Sequence, residues 1–256
     1  MKEVTSYRTP KPTAILLTAH CQLLTEMSTI QTDFDRIALV SPDGSIHNNH
    51  YHNFLLRHLP SKCQSVLEIG CGKGEFSRRL AETSERVLAL DLSPEMVRIA
   101  RELSAPLPHI DFQMADVMTY DLPPEGFDCI ASIATLHHLP LREILLKMKA
   151  ALKPGGVLLI LDLFEPAGLG DALLNPLAVS VSAGLRLIHH GRLRSSRAAR
   201  EAWAAHERHD IYLTMNDLRI LCSEILPGAK IKKHLLWRYS VMWRKLTRER
   251  GRPRPH

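Results

Sequence analysis

The sequence predicts a doubly wound α/β fold, a mostly parallel sheet of seven strands that closes with an antiparallel hairpin and carries a helical lid insertion. Three observations carry this. Apolar strand-like runs and amphipathic helical patterns alternate five times between Val66 and Leu163, which requires crossover connections and a parallel sheet. The first run, Val66-Leu67-Glu68-Ile69, ends in Gly70-Cys71-Gly72-Lys73-Gly74, a turn whose glycines allow positive φ and close approach of a ligand to the backbone. Two further runs, Lys230–Leu236 and Ser240–Lys245, lie about four residues apart, the spacing of a hairpin.

Residues 1–45 form an N-terminal extension, marked as partly irregular by Pro10, Pro12 and Pro42-Asp43-Gly44. Its apolar stretch 13–24 is interrupted by His20, Cys21 and Gln22 and has no small-residue cleavage site after it, so it is not read as a signal peptide. The first 26 residues read as a loosely docked segment, since a more usual start lies at Met27. A main domain is expected over 46–246. It opens with a short helix that places Phe54, Leu55 and His58 on one face and ends near Pro60. His47, His50 and His52 have neither a cysteine nor a carboxylate at ligand spacing, so no metal is expected.

After the glycine turn a helix runs over Glu75–Glu82, with Phe76, Leu80 and Ala81 inward. Val87–Leu90 is a second buried strand ending on Asp91. Ser93-Pro94-Glu95 then supplies an N-cap, a proline at the first helical position and an acid in the first turn. Met96, Ile99, Ala100 and Leu103 form that helix's inner stripe. His109–Met114 and Phe127–Ile133 are the third and fourth strands. Residues 141–152 are helical with Ile144, Leu145, Met148 and Leu152 inward, and Lys153-Pro154-Gly155-Gly156 is a sharp stop before the fifth strand, Val157–Leu163.

Regularity lapses over 164–210, an insertion with an apolar stretch, Ala172–Ile188, and a basic helix, Leu193–His206. It reads equally as a lid or as a helical hairpin on the sheet edge. Thr214 caps a last helix to Ile225, and 247–256 is a basic, flexible tail.

The charge is uneven. Of 33 Lys and Arg, 17 fall between Arg186 and His256 against 6 Asp and Glu there, within an overall net charge of +6. A solvated surface with a frayed tail accounts for this better than nucleic-acid contact. The five cysteines are scattered, with no C-x-x-C pair, which argues for a reducing compartment, and no run reaches the 18 apolar residues of a transmembrane helix. A cytoplasmic protein is expected.

The glycine turn narrows the ligand. A dinucleotide fingerprint wants G-x-G-x-x-G, whereas here the third glycine comes one residue early and Glu68 stands two residues before the first. That carboxylate repels a pyrophosphate and attracts a cation. S-adenosylmethionine (SAM) offers an ammonium and a sulfonium to the acid, and a carboxylate to the loop N–H groups. Asp91 lies 21 residues beyond Gly70, the separation at which an acid meets a ribose.

Five stretches together, E-I-G-C-G-K-G at 68–74, D-L-S-P-E-M at 91–96, A-D-V at 115–117, D-C-I-A-S-I-A-T-L-H-H at 128–138 and L-K-P-G-G-V-L at 152–158, resemble the class I SAM-dependent methyltransferases, in particular the bacterial set similar to the ubiquinone and menaquinone biosynthesis methyltransferases. The match covers residues 45–163 in order. It implies a Rossmann-like sheet with an antiparallel end, and SAM as cofactor. Carried over residue by residue, it implies that Glu68, Gly70, Cys71 and Gly72 cradle the methionine end of SAM and that Asp91 takes both ribose hydroxyls. Leu92 and Met96 would pack on the adenine, Asp116 would accept from its amine, Val117 would lie against the ring, and Ser132 and Ile133 would face the methionine portion. The structural job of an acid that ends an apolar strand is expected to be slight.

His137 and His138 follow the fourth strand, where an acceptor would lie, and either could act as a base or orient the substrate; a packing role is as well supported, because L-H-H is frequent in the family. Tyr51 is the candidate cover over the methionine end of SAM. Ser132-Ile133-Ala134-Thr135 lacks the Asn/Asp-Pro-Pro-Tyr signature, which counts against base or glutamine N-methylation. The apolar run in the lid suits a hydrophobic small molecule. The stretch His234–Ser240 with Trp243 looks like the tail of an uncharacterised bacterial subgroup and names no substrate. The expected function is methyl transfer to an O, N or C nucleophile of a small molecule; an RNA- or protein-directed methyltransferase and a non-catalytic SAM-binding protein stay open.

Overall fold

A computed structural model describes residues 29–41, 46–166, 180–181, 184, 196–207 and 212–247. The first 28 residues, the turn at 42–45, nearly all of the apolar stretch Ala172–Ile188 and the tail from 248 lie outside the described residues.

Seven strands form one sheet, β1 (Ser65–Ile69), β2 (Arg86–Asp91), β3 (Ile110–Met114), β4 (Phe127–Ile133), β5 (Leu152–Leu163), β6 (Lys230–Lys233) and β7 (Arg238–Arg244), in the order β3-β2-β1-β4-β5-β7-β6. The first five are parallel, and β7 runs antiparallel to both β5 and β6. This is the doubly wound, mostly parallel sheet with an antiparallel hairpin that the sequence predicts. Its strand order reverses between β1 and β4, so the loops leaving those two strands flank a crevice at the sheet's carboxyl edge, the usual ligand position in such sheets.

Helices cover both faces, which is why the strands read as continuous apolar runs. Successive residues of a strand point to opposite sides. Leu67 and Ile69 join Ile130, Leu158 and Ile160 beneath α6 (Leu141–Ala151) and α8 (Met215–Ile225). Val66 joins Ala89, Cys129 and Leu159 beneath α3 (His52–Leu56), α4 (Glu75–Ala81) and α5 (Pro94–Leu103). Fully burying one such aliphatic side chain contributes about 1.5–3 kcal/mol.

The helix starts follow their signals. The Ser93 hydroxyl accepts from the Met96 N–H at 3.1 Å with Pro94 at the first helical position, and Thr214 accepts from the Asp217 N–H at 3.3 Å. Three details depart from expectation. The inner stripe of α5 is Met96, Val97 and Ala100, while Leu103 is 55% exposed, on the last turn of a helix that borders edge strand β3. Lys153–Gly156 lies within β5 as an irregularity: Leu152 already pairs with Phe127, and the Gly155 N–H donates to the Lys245 carbonyl at 2.8 Å, so pairing with the closing hairpin holds the segment in the sheet. The sixth strand stops at Lys233, because Leu236 and Trp237 take φ of +62° and +57° to turn the chain.

Two short helices precede β1, α2 (Ile46–Asn49) and α3. Before them, residues 29–40 form α1, which the sequence left unassigned. It docks through Ile37 and Ala38 on Met96 of α5 and on Ala202 of α7 (Arg197–His206), the described part of the basic helix in the insertion. The Ser93 hydroxyl donates to Asp35 at 2.5 Å, and Lys73 Nζ donates to the Ser41 carbonyl at 2.5 Å, so α1 is tied to both the glycine loop and the start of α5.

Candidate functional site

The glycine loop is shaped first by the protein itself. Gly70, Gly72 and Gly74 all have positive φ. A Cβ on Gly70 would lie 1.9 Å from Thr135 Oγ1, and one on Gly74 would lie 2.7 Å from the Phe112 ring. Those two glycines let the loop pack on the turn after β4 and on β3. Gly72 differs, since a Cβ there would meet nothing within 4 Å. Its φ of +51° presents bare backbone to open space. That is the cradle a ligand would fill.

Two carboxylates set the cradle's electrostatics. Glu68, 2% exposed on β1, accepts from the Ser77 hydroxyl at 2.5 Å. Burial pushes its pKa up to about 8, with the neighbouring Asp91 adding to the rise and the Ser77 bond opposing it. A group so placed gains from a cation brought beside it. Asp91 accepts from the Gly72 N–H at 2.7 Å and from the Ser93 N–H at 2.9 Å. Burial raises its pKa as well, against those two backbone bonds. Asp91 therefore shapes the loop in addition to any ligand contact.

Asp116 also has a structural task, as its Oδ1 accepts from the Met118 N–H at 2.8 Å and caps a turn. The expectation that a strand-ending acid has little structural role is thus corrected for both residues, because each satisfies backbone donors that would otherwise lack partners. Val117 is 6% exposed in the core on one sheet face, and Met96 lies among the residues that dock α1. Leu92 follows Asp91 directly and is half-buried. The Ser132 hydroxyl donates to the Ile69 carbonyl at 2.9 Å, tying β4 to β1, and Ile133 is buried on the opposite face. Cys71 is buried in the loop, where burial raises its thiol pKa well above the usual value.

The two histidines stand on a 3-10 turn, Leu136–His138, entered through Ala134 at φ +51°. Thr135 in that turn abuts Gly70, which puts the turn against the glycine loop. His137 is held by a residue the sequence did not single out. Its Nδ1 lies 2.6 Å from Oδ1 of Asp162 on β5, and its backbone N–H donates to Oδ2 at 3.1 Å. The signal was present, since Asp162 ends an apolar run as Asp91 does. His138 packs in an aromatic group with Phe34 of α1, at 5.5 Å between ring centroids, and His206 of α7, at 4.8 Å. Phe34 and His206 themselves are 4.5 Å apart.

Tyr51 is 7% exposed and donates its hydroxyl to the Leu235 carbonyl at 2.8 Å. Arg238 donates to the Leu236 carbonyl at 3.1 Å and to Asn48 at 2.9 Å. Together they brace the hairpin turn whose non-glycine residues hold positive φ, a conformation that costs about 1–2 kcal/mol per residue. Its hydroxyl so engaged, Tyr51 is an anchor between the segment before β1 and the last hairpin.

A methyltransferase-domain profile matches residues 66–156, the span that contains the glycine loop, Asp91, Asp116 and the histidine turn. The chain is 33% identical over 198 residues to an uncharacterised methyltransferase of Mycobacterium tuberculosis, covering 77% of this chain and 95% of that protein. It is 34% identical over 99 residues to a ubiquinone biosynthesis O-methyltransferase of Xanthomonas campestris, 37% of this chain and 41% of the other. Among solved structures, the N-methyltransferase NodS of Bradyrhizobium japonicum, determined with S-adenosyl-L-homocysteine, superposes with a TM-score of 0.56 at 17% identity, over 84% of this chain and 98% of that one. An open cradle at Gly72 beside a buried acid, at the switch point of a doubly wound sheet, fits SAM, and the chain belongs to the SAM-dependent methyltransferases.

Proposed function

We propose that the protein transfers the methyl group of SAM to a small-molecule acceptor by in-line displacement. The observation that supports this reading is the aromatic contact that joins α1 and α7 to the histidine turn after β4. Phe34 of α1 contacts His138 on one side, and Trp203 (6.5 Å) and His206 (4.5 Å) of α7 on the other. An aromatic wall of this kind suits a compact, partly apolar acceptor, whereas a polymer needs an open groove.

SAM supplies an activated methyl group on a sulfonium. Glu68 and the Gly72 loop would hold its methionine end, and Asp91 would bind the ribose while fixing the loop through the Gly72 N–H. Leu92 and Met96 would contact the adenine, with Asp116 and Val117 at its far edge, and Ser132 and Ile133 would border the methionine portion. The chain's contribution is to align the two reactants and exclude water. The likeness to the Xanthomonas ubiquinone biosynthesis O-methyltransferase supports a small acceptor. A division into an extension (1–45), a domain (46–246) with its lid insertion (164–210) and a basic tail (247–256) goes with this reading. So does a cytoplasmic setting, which the buried free thiols of Cys63, Cys71, Cys129 and Cys222 support.

The test is incubation with methyl-labelled SAM and separated small-molecule, RNA and protein fractions of the native host. Label is expected in the small-molecule fraction. Label confined to RNA or protein overturns the proposal.

A further inference from the structure

The His137–Asp162 pair is built more tightly than packing alone requires. Asp162 is fully buried, and a buried carboxylate is tolerated only when donors surround it. Oδ1 accepts from His137 Nδ1 at 2.6 Å and from the Leu163 N–H at 2.8 Å, while Oδ2 accepts from the His137 N–H at 3.1 Å. An ionised carboxylate only accepts, so the 2.6 Å contact assigns an N–H to Nδ1, and in the neutral ring the lone pair then lies on Nε2. Nε2 has no hydrogen bond among the described residues. The ring also packs against those of His138, at 3.8 Å between centroids, and Tyr212, at 5.2 Å, which restrict its rotation. Thr135, two residues earlier, packs against Gly70 of the cofactor loop.

We infer that His137 is the general base of the reaction, that Asp162 is its positioning residue, and that the acceptor is a hydroxyl. The inference rests on the small-molecule reading and deepens it. A carboxylate acceptor would need no base, whereas a weakly acidic hydroxyl must lose its proton as it attacks. The acceptor oxygen's lone pair forms the bond to the methyl carbon, the carbon–sulfur bond breaks with its electrons left on sulfur, and the hydroxyl proton passes to Nε2. Asp162 stays ionised and balances the imidazolium, which returns its proton to water after product leaves. The charged and titratable groups around the pair are His138 on the same turn, Tyr212 before α8, and Arg238 and Tyr239 on β7, Tyr239 being the cross-strand neighbour of Asp162; His206 of α7 stands behind His138 with Asp33 at 3.5 Å.

The experiment uses the full-length chain with S-adenosylhomocysteine for binding and spectra, and labelled SAM with the host's small-molecule fraction for turnover. The labelled product is expected to be a methyl ether, stable to mild alkali. His137→Gln is expected to lower kcat by about 10²–10⁴-fold while leaving S-adenosylhomocysteine affinity unchanged in calorimetry. Asp162→Asn is expected to lower kcat and to abolish a downfield Nδ1–H proton resonance seen in the parent protein. Retained binding by either variant certifies its fold, and His137→Gln serves where the buried Asp162→Asn fails to fold. A methyl ester, N-methyl or C-methyl product overturns the inference, as does unchanged kcat in His137→Gln or absence of the downfield proton. Labelled product with unaffected variants sinks only this inference; the absence of any labelled small molecule sinks the underlying reading with it.

Discussion

Asp91 Oδ2 accepts a 2.7 Å hydrogen bond from the N–H of Gly72, joining the end of the second strand to the loop that follows the first. The same carboxylate holds the Ser93 N–H at the start of α5. One side chain therefore sets the loop's shape and the position of the adjoining helix before a ligand arrives.

We predict that Asp91→Ala weakens S-adenosylhomocysteine binding by at least about 100-fold, since hydrogen bonds to a charged group are worth about 1.5–3 kcal/mol each and the ribose contacts go with the loop contacts. Calorimetry measures it. Binding within a few-fold of the parent would show that Asp91 serves the loop alone and that the ribose is held elsewhere.

Gly70 and Gly72 separate folding from binding. Gly70→Ala drives a methyl group into Thr135, with neither residue able to move without displacing β1 or the turn after β4, so the melting temperature should fall. Gly72→Ala meets no protein atom and bears only the cost of φ +51°, about 1–2 kcal/mol. We predict that Gly72→Ala folds with a modest loss of stability yet loses most of its cofactor affinity. Full affinity in Gly72→Ala would mean that the open space beside it is not the cradle.

Glu68 gives a pH signature. With its pKa raised to about 8, the ligand-free protein carries it mostly protonated at neutral pH. A ligand ammonium favours the ionised form, so binding releases a proton below pH 8 and affinity rises with pH until about that value. Calorimetry in buffers of different ionisation enthalpy should detect the released proton, and Glu68→Gln should abolish it. The sign for stability is opposite to that of a salt-bridged acid. The folded state binds more protons than the unfolded one between the ordinary glutamate range and about pH 8, so Glu68 makes the ligand-free fold less stable as pH rises through that window. Glu68→Gln should flatten the decline in melting temperature across it.

Most of the sheet was legible because its strands are buried on both faces and its turns carry glycine, proline or a capping serine. Leu103 misled because helical periodicity does not reveal where a sheet ends. The stretch Lys153–Gly156 misled because proline and glycines also mark an irregular strand, and only the partners Phe127 and Lys245 decide between the two. In the site, Glu68, Gly72 and Asp91 were visible from residue type and spacing along a short stretch. Asp162 and Phe34 were not, because their significance lies in meeting His137 and His138 across 25 and about 100 residues of chain, and pairing at that distance follows from strand order. Tyr51 was expected over the cofactor, and its partner Leu235 lies 184 residues away.

The helix over residues 29–40 supplies the last prediction. Ile37 is 2% exposed and packs in a cluster with Met96 and Ala202 that is separate from the two cores on the sheet faces. Asp35 and Ser41 connect the same helix to Ser93 and Lys73, both within two residues of Asp91 or Gly72. An ionised side chain at position 37 cannot remain in that apolar contact, so Ile37→Asp should release α1 while the sheet stays folded. We predict a faster dissociation of S-adenosylhomocysteine, by about tenfold for the loss of some 1.4 kcal/mol of covering contact, with the main thermal transition nearly unmoved. Stopped-flow displacement and a thermal melt on the same sample check both halves. An unchanged dissociation rate, with α1 shown to be detached by proteolysis near Ser41, would mean that the helix shields the acceptor side of the crevice and leaves the cofactor's exit open.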